Sequence, residues 1–216
     1  MRISKAVWFV AAAPLALAGC SSSGQLVVDQ GVGITALRSV CPAVGIPDYT
    51  GDITLFTSPV ARTADAIDMV AAMTNVRTTC NPDGEEVFAQ VDFDVYARRL
   101  NTAGARTMEI PYFVTVLRGG DSVVSKRVGT VTLSFVDGQE RAEGKGTAAA
   151  YVNRAEATLP PDIRERITRK RKAGDTDAAV DPLTEPDVRA ALARASFELL
   201  VGFQMTDAQL AYNATR

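Results

Sequence analysis

Apolar and polar positions alternate every second residue from Glu86 to Arg98. Val87, Ala89, Val91, Phe93 and Val95 fall on one side, and Phe88, Gln90, Asp92, Asp94 and Tyr96 on the other. That period predicts a strand with one core face and one mostly polar, outward face. Upstream, Ala66 to Thr79 mixes helix-tolerant Ala and Met with Val70, Val76 and several threonines. Because it runs into Cys80 and the turn cluster Asn81-Pro82-Asp83-Gly84, it reads as the other arm of a hairpin. Thr107 to Arg118 predicts a further strand in which Pro111 marks an edge or a bulge. Gly119-Gly120-Asp121-Ser122 closes it onto Val123 to Val136, where Val131, Leu133 and Phe135 alternate with Thr130, Thr132 and Ser134. Gly129 is read there as a bulge.

Elsewhere the strand signal is weaker. Gln25 to Val40 carries β-branched residues broken by Gly31 and Gly33, and predicts a strand or two ending at Cys41-Pro42. Ile46 to Asp52 has turn chemistry and Ile53 to Thr57 the composition of a short strand. After the Asp137-Gly138 turn, Gln139 to Lys145 is too charged to be core, and strand resumes over Thr147 to Leu159. Beyond Pro160 the pattern changes. Pro160-Pro161-Asp162 opens a short basic helix, Ile163 to Lys172, on which only Ile163 and Ile167 are apolar. A polar linker, Ala173 to Asp181, leads to a second helix over Asp187 to Ala195, then an apolar strand, Phe197 to Met205. Thr206 or Asp207 caps a terminal turn or two. Six to eight short strands with only late helices predict a mainly β fold: an antiparallel β-sandwich of immunoglobulin or fibronectin kind, with short helices near the C-terminus. A single curled sheet with helices on one side is the alternative.

The first residues have another character. Arg2 and Lys5 precede an apolar run, Ala6 to Ala16, which is the layout of a secretory signal and is too short for a permanent bilayer span. It ends in Leu17-Ala18-Gly19-Cys20, which resembles the lipobox of bacterial lipoproteins. The resemblance implies cleavage before Cys20, acylation of its thiol and new amine, and a membrane anchor of two or three chains. Ser21 to Gln25 would then be a polar tether. Ser21 in place of Asp resembles an outer-membrane sorting pattern, so the expected location is the bacterial envelope, facing the periplasm, at the outer rather than the inner membrane. The expected domain organisation is a signal peptide over 1–19, an acylated Cys and tether over 20–25, and one β-rich domain over 26–216. That domain would carry a basic helical and linker insertion at about 160–195.

With Cys20 assigned to lipid, Cys41 and Cys80 are left to pair in an oxidising compartment, against the alternative of two buried thiols. The chain has no histidine, which removes Ser-His-Asp and Cys-His catalysis, His-ligated metals and the usual base near neutral pH. No catalytic residue, metal site or cofactor is expected. The net charge is −2, and −4 once Arg2 and Lys5 are lost, so nothing predicts binding to nucleic acid.

Several stretches together resemble a group of conserved alphaproteobacterial lipoproteins of unassigned function: Leu17 to Cys20, Cys41-Pro42 followed later by Cys80, Ile110 to Val114, and Leu200 to Thr206 running into Leu210 to Asn213. The resemblance implies an anchored, β-rich periplasmic domain and brings no catalytic residues with it. The basic segment is a departure from that group.

Three stretches invite a chemical reading. Asp92 and Asp94 share a strand face, but no loop dense in oxygen ligands adjoins them, so a solvated face is expected rather than a calcium site. Gly144-Lys145-Gly146-Thr147 fails the spacing of a phosphate loop. Arg164, Arg166, Arg169, Lys170, Arg171 and Lys172 form the one local feature with functional appeal: either a solvated basic helix or a surface for lipid phosphates or acidic proteins. Tyr112 with Phe113, and Phe203 with Tyr212, are expected in the core, with a hydrophobic groove or an interface as the alternative. The resulting expectation is a non-enzymatic envelope lipoprotein that binds other envelope proteins through a sheet face or edge. A carrier or sensor of a small apolar or anionic ligand is the alternative.

Overall fold

The alternating run forms strand β4, Glu86–Arg99, and its apolar members Val87, Ala89, Val91, Phe93 and Val95 are all buried at 1% exposure or less. The computed structural model describes residues 36–215 apart from 59 and 61. Around β4 stand β1 (Ala43–Gly45), β2 (Asp52–Phe56), β3 (Ile67–Asn81), β5 (Arg106–Arg118), β6 (Ser122–Phe135), β7 (Arg141–Asn153) and β8 (Phe197–Phe203). Helices α1 (Pro161–Thr168) and α2 (Pro186–Ala195) precede β8, and α3 (Asp207–Thr215) follows it.

The strands form two four-stranded sheets, ordered β2-β3-β4-β7 and β1-β8-β5-β6. One buried cluster draws on both, with Val91, Phe93 and Val95 from the first sheet and Ile110, Leu133, Leu199 and Phe203 from the second. The fold is therefore mainly β, with two sheets sharing a core and short helices toward the C-terminus. All pairings are antiparallel except β1 with β8, which is parallel. Residues 26–35 of the expected first strands lie outside the described residues, and 36–42 form no strand.

Four local expectations are corrected. Pro111 marks neither an edge strand nor a bulge: β5 lies between β8 and β6, and its register slips only at Val116/Leu117. Pro111 is tolerated because β8 stops opposite Tyr112, leaving no partner strand on that side. Gly129 is not a bulge either, since it pairs in register with Tyr112. A Cβ on Gly129 would stand 2.5 Å from Tyr112 Cζ, so the missing side chain makes room for the ring. The charged stretch Gln139 to Lys145 is largely strand, because β7 pairs continuously with β4 from Arg141 to Asn153. An edge strand needs only alternate residues facing inward, and Ala142 and Gly144 supply them. Finally, the basic helix ends at Thr168 rather than Lys172.

The two sheets approach closely where β6 and β7 leave their shared turn. A Cβ on Gly144 would lie 2.6 Å from Val131 Cγ1 and 2.8 Å from the Thr132 carbonyl oxygen. Backbone cannot rotate out of the way. Gly144→Ala is accordingly expected to destabilise by about 1–3 kcal/mol through overpacking, read as a lowered urea midpoint.

The C-terminus is locked by a reciprocal cap. Thr206 N donates to Gln209 Oε1 at 2.8 Å, and Gln209 N donates to Thr206 Oγ1 at 3.3 Å. Helix α3 is thereby aimed at β2, where Asn213 Nδ2 donates to the carbonyls of Tyr49 and Asp52 at 2.8 and 2.7 Å. Tyr212 meets the Phe56 ring edge-on at 5.1 Å between centroids.

Candidate functional site

Cys20, the expected acylation site, lies outside the described residues, as does the apolar leader before it. Cys41 and Cys80 are disulfide-bonded, 39 positions apart, joining the segment before β1 in one sheet to the end of β3 in the other. Among the described residues no helix is long and apolar enough to cross a membrane.

The basic run does not stand as a ring of solvated charge. Ile163 and Ile167 bury one side of α1 against Val188 and Ala191 of α2, making a small second core. This packing carries the arginines toward acidic residues of the following segment. Arg166 pairs with Glu185 and Asp187, and Arg169 pairs with Asp177. Arg171 is 3% exposed, reaching Asp177 Oδ2 at 3.3 Å and donating to the Arg166 carbonyl at 3.2 Å. Arg164, Arg169, Lys170 and Lys172 are exposed, but Arg166, Arg169 and Arg171 are engaged by carboxylates of the following segment, so half of the candidate anion surface is spent on holding the insertion together.

The strand aspartates are engaged too. Asp94 is 9% exposed, accepts from Asn75 Nδ2 at 2.8 Å and lies 3.6 Å from Arg77. The Asn75 hydrogen bond, helped by Arg77, holds its carboxyl below the ordinary value. Asp92 accepts from Gln90. No group of three or more Cys, Asp or Glu among the described residues converges to hold a metal ion. Gly144 to Thr147 is part of β7 and forms no loop.

Asp68 and Arg106 form a bidentate ion pair whose two hydrogen bonds are each 2.7 Å. The Arg106 fork holds the Asp68 carboxyl below its usual 3.8, against an opposing push from burial. A carboxyl titrating lower in the folded state contributes stability above its unfolded value. That contribution disappears as pH falls through the folded value. Stability is therefore expected to be flat from about pH 5 to 8, where no histidine titrates, and to fall below about pH 4. Urea midpoints against pH should show a shallower acid loss in Asp68→Asn.

The feature that sequence reasoning missed lies between β6 and β7. These are the terminal strands of their sheets, and no backbone hydrogen bond joins them among the described residues. Near their shared turn Val131, Leu133 and Phe135 fill the gap. Farther along, small residues take over: Ser125 and Gly129 on β6, Ala148 and Ala150 on β7. The sheets part there around a cleft of about 450 Å³ floored by Tyr112, Val114 and Val116. Tyr112 marks where it begins, with its hydroxyl donating to the Thr147 carbonyl at 2.7 Å and its ring 5.0 Å from Phe93.

Register fixes what β6 presents. Ser125, Arg127 and Gly129 pair with Val116, Val114 and Tyr112 and so share the cleft-facing side. Lys126 and Val128 pair with Thr115 and Phe113 on the opposite side, where the Lys126 ammonium sits 5.2 Å from the Phe113 ring centroid, and Val128 also borders the cleft. All seven residues from Ser122 to Val128 are exposed, including Val123 at 62%, Val124 at 56% and Val128 at 59%. The signal was present as a failure of alternation: Val123-Val124-Ser125-Lys126-Arg127-Val128 lacks the inward apolar row that begins at Val131. Comparison of the chain with protein-family models, with curated proteins and with solved structures finds no match.

Proposed function

We propose that the protein is an envelope lipoprotein, anchored through acyl chains on Cys20, that works without catalysis by docking another envelope protein on the open edge of β6. The observation that carries this reading is the run of seven exposed residues, three of them valine, on a strand with one free edge. Natural sheets cover, shorten or charge such edges, and two cations among three exposed valines protect this one only in part. Export is supported by the Cys41–Cys80 disulfide, since such bonds belong mainly to oxidising compartments. The lipobox-like residues 17–20 and the serine-rich tether support the anchor, and Ser21 supports the outer membrane.

A photo-crosslinking residue placed at Val124, with a control at outward-facing Tyr96 on the other sheet, tests the reading in envelope preparations. A stoichiometric protein adduct from position 124 and none from 96 is the expected result. Intact mass should show loss of the first nineteen residues and acyl groups on Cys20. A second reading, a carrier or sensor of a small apolar or anionic ligand, draws on the volume of the cleft, which falls in the range of ligand pockets. A co-purifying lipid without a protein adduct would favour it and sink the first.

A further inference from the structure

We infer that the cleft between β6 and β7 receives an extended polypeptide strand of the partner, pairing with the β6 edge and placing a carboxylate against Arg127. This rests on the docking reading above and names the chemistry of its partner.

Three observations converge on a strand rather than another occupant. First, β6 bonds only to β5 and β7 only to β4, so two rows of alternating backbone donors and acceptors border one cleft. An incoming backbone can satisfy such a row along its length, whereas an acyl chain or small amphiphile cannot. Second, the cleft walls are low. On the cleft-facing side of β6, Ser125 and Gly129 are small, and on β7 three successive alanines, Ala148 to Ala150, line it between Thr147 and Tyr151. Alternate side chains of an inserted strand would find room there, and those between would face solvent.

Third, the charge is unbalanced. Arg127 enters no ion pair among the described residues, and no acidic residue lines the cleft. Lys126 adds a second cation one position away on the outer face. The same charges disfavour a second copy of this chain. β6 carries no acidic residue, so edge-to-edge pairing centred on this stretch would bring Lys126 and Arg127 of both copies together with no carboxylate on either strand to offset them. An acid-bearing strand with small apolar residues fits where a copy of β6 does not.

The test uses the full mature chain and a blocked nine-residue peptide of alternating valine and threonine with glutamate at its centre. Saturable binding by fluorescence anisotropy is expected. Methylating alternate backbone nitrogens along one edge of the peptide should abolish it. Lysine in place of the glutamate should weaken binding roughly five- to tenfold, a range set by one partly exposed charge pair turned repulsive. Arg127→Glu should reverse that preference. Its side chain is exposed, and an unchanged melting curve confirms folding.

Equal binding of the methylated peptide overturns the inference, as does the absence of saturable binding or laurate filling the cleft where the peptide does not. Crosslinks to a protein from Val124 together with insensitivity to methylation would refute strand pairing while leaving the docking reading in place. No crosslink at all would remove both.

Discussion

Replacing Arg99 with methionine is expected to lower stability by about 3–5 kcal/mol. Arg99 is 1% exposed, and its partners are backbone carbonyls rather than a carboxylate. Its Nε donates to Gln139 O at 2.9 Å, Nη1 to Gly104 O at 2.8 Å, and Nη2 to Thr102 O and Val136 O at 2.8 and 2.9 Å. Its guanidinium also lies 5.1 Å from the centre of the Phe135 ring.

Those carbonyls belong to the β4–β5 and β6–β7 connections, the two turns that carry the chain from one sheet to the other at this end. One planar fork thus fastens both crossovers. Methionine fills the space and leaves four acceptors with reduced or no partners, at roughly 1–3 kcal/mol for each that water cannot reach. Lysine is expected to recover little, since its compact ammonium cannot reproduce a rigid fork. Urea unfolding of the two variants checks this, and a loss under about 1 kcal/mol for methionine would show that the turns hold themselves.

Removing the Cys41–Cys80 bridge is expected to cost about 4 kcal/mol, from the loop entropy restored to the unfolded chain; the two cysteines are 39 positions apart. The structural consequence should be local. Strand β1 has three residues and one partner, with three register pairs to β8. The bridge is the covalent tie between its flank and β3, so reduction should expose β1 amides to exchange well before those of β4 or β5. Urea midpoints with and without reductant, and in Cys41→Ser/Cys80→Ser, give the global figure. Hydrogen exchange gives the order of opening, and an unchanged midpoint would place the native contacts of β1 above the crosslink in importance.

Much of the fold was legible because period and punctuation agreed. The β3–β4 hairpin, with its Asn81 to Gly84 turn, and the β5–β6 hairpin follow from residues adjacent in sequence. Less was legible where a distant partner changes what a residue can do. Arg141 to Lys145 reads as solvated because its charges dominate any window. It is strand because β4 bonds to it and its charged members face away from the core. Arg171 reads as part of an exposed basic face, yet it is buried because Asp177 and the Arg166 carbonyl satisfy its donors.

The candidate site shows the same division. Its residues are ordinary in sequence: alanines, valines, two tyrosines, a serine, a threonine, a glycine and one arginine. No spacing rule connects Arg127 to Ala148, because they line one cleft from two sheets that are not hydrogen-bonded at that edge.

By itself the sequence determined the mainly β class, the hairpins and their turns, and the inward face of β4. Each depends on neighbours along the chain, whereas the Cys41–Cys80 bridge, one of two expectations for those thiols, was settled by the structure. Only the tertiary structure decided that β6 and β7 part into a cleft, that Arg99 joins two crossovers, and that acidic residues on the next segment neutralise half of the basic run. Those outcomes depend on which surfaces meet after the sheets close, and the free energy of a charge or a free edge is set by what packs beside it.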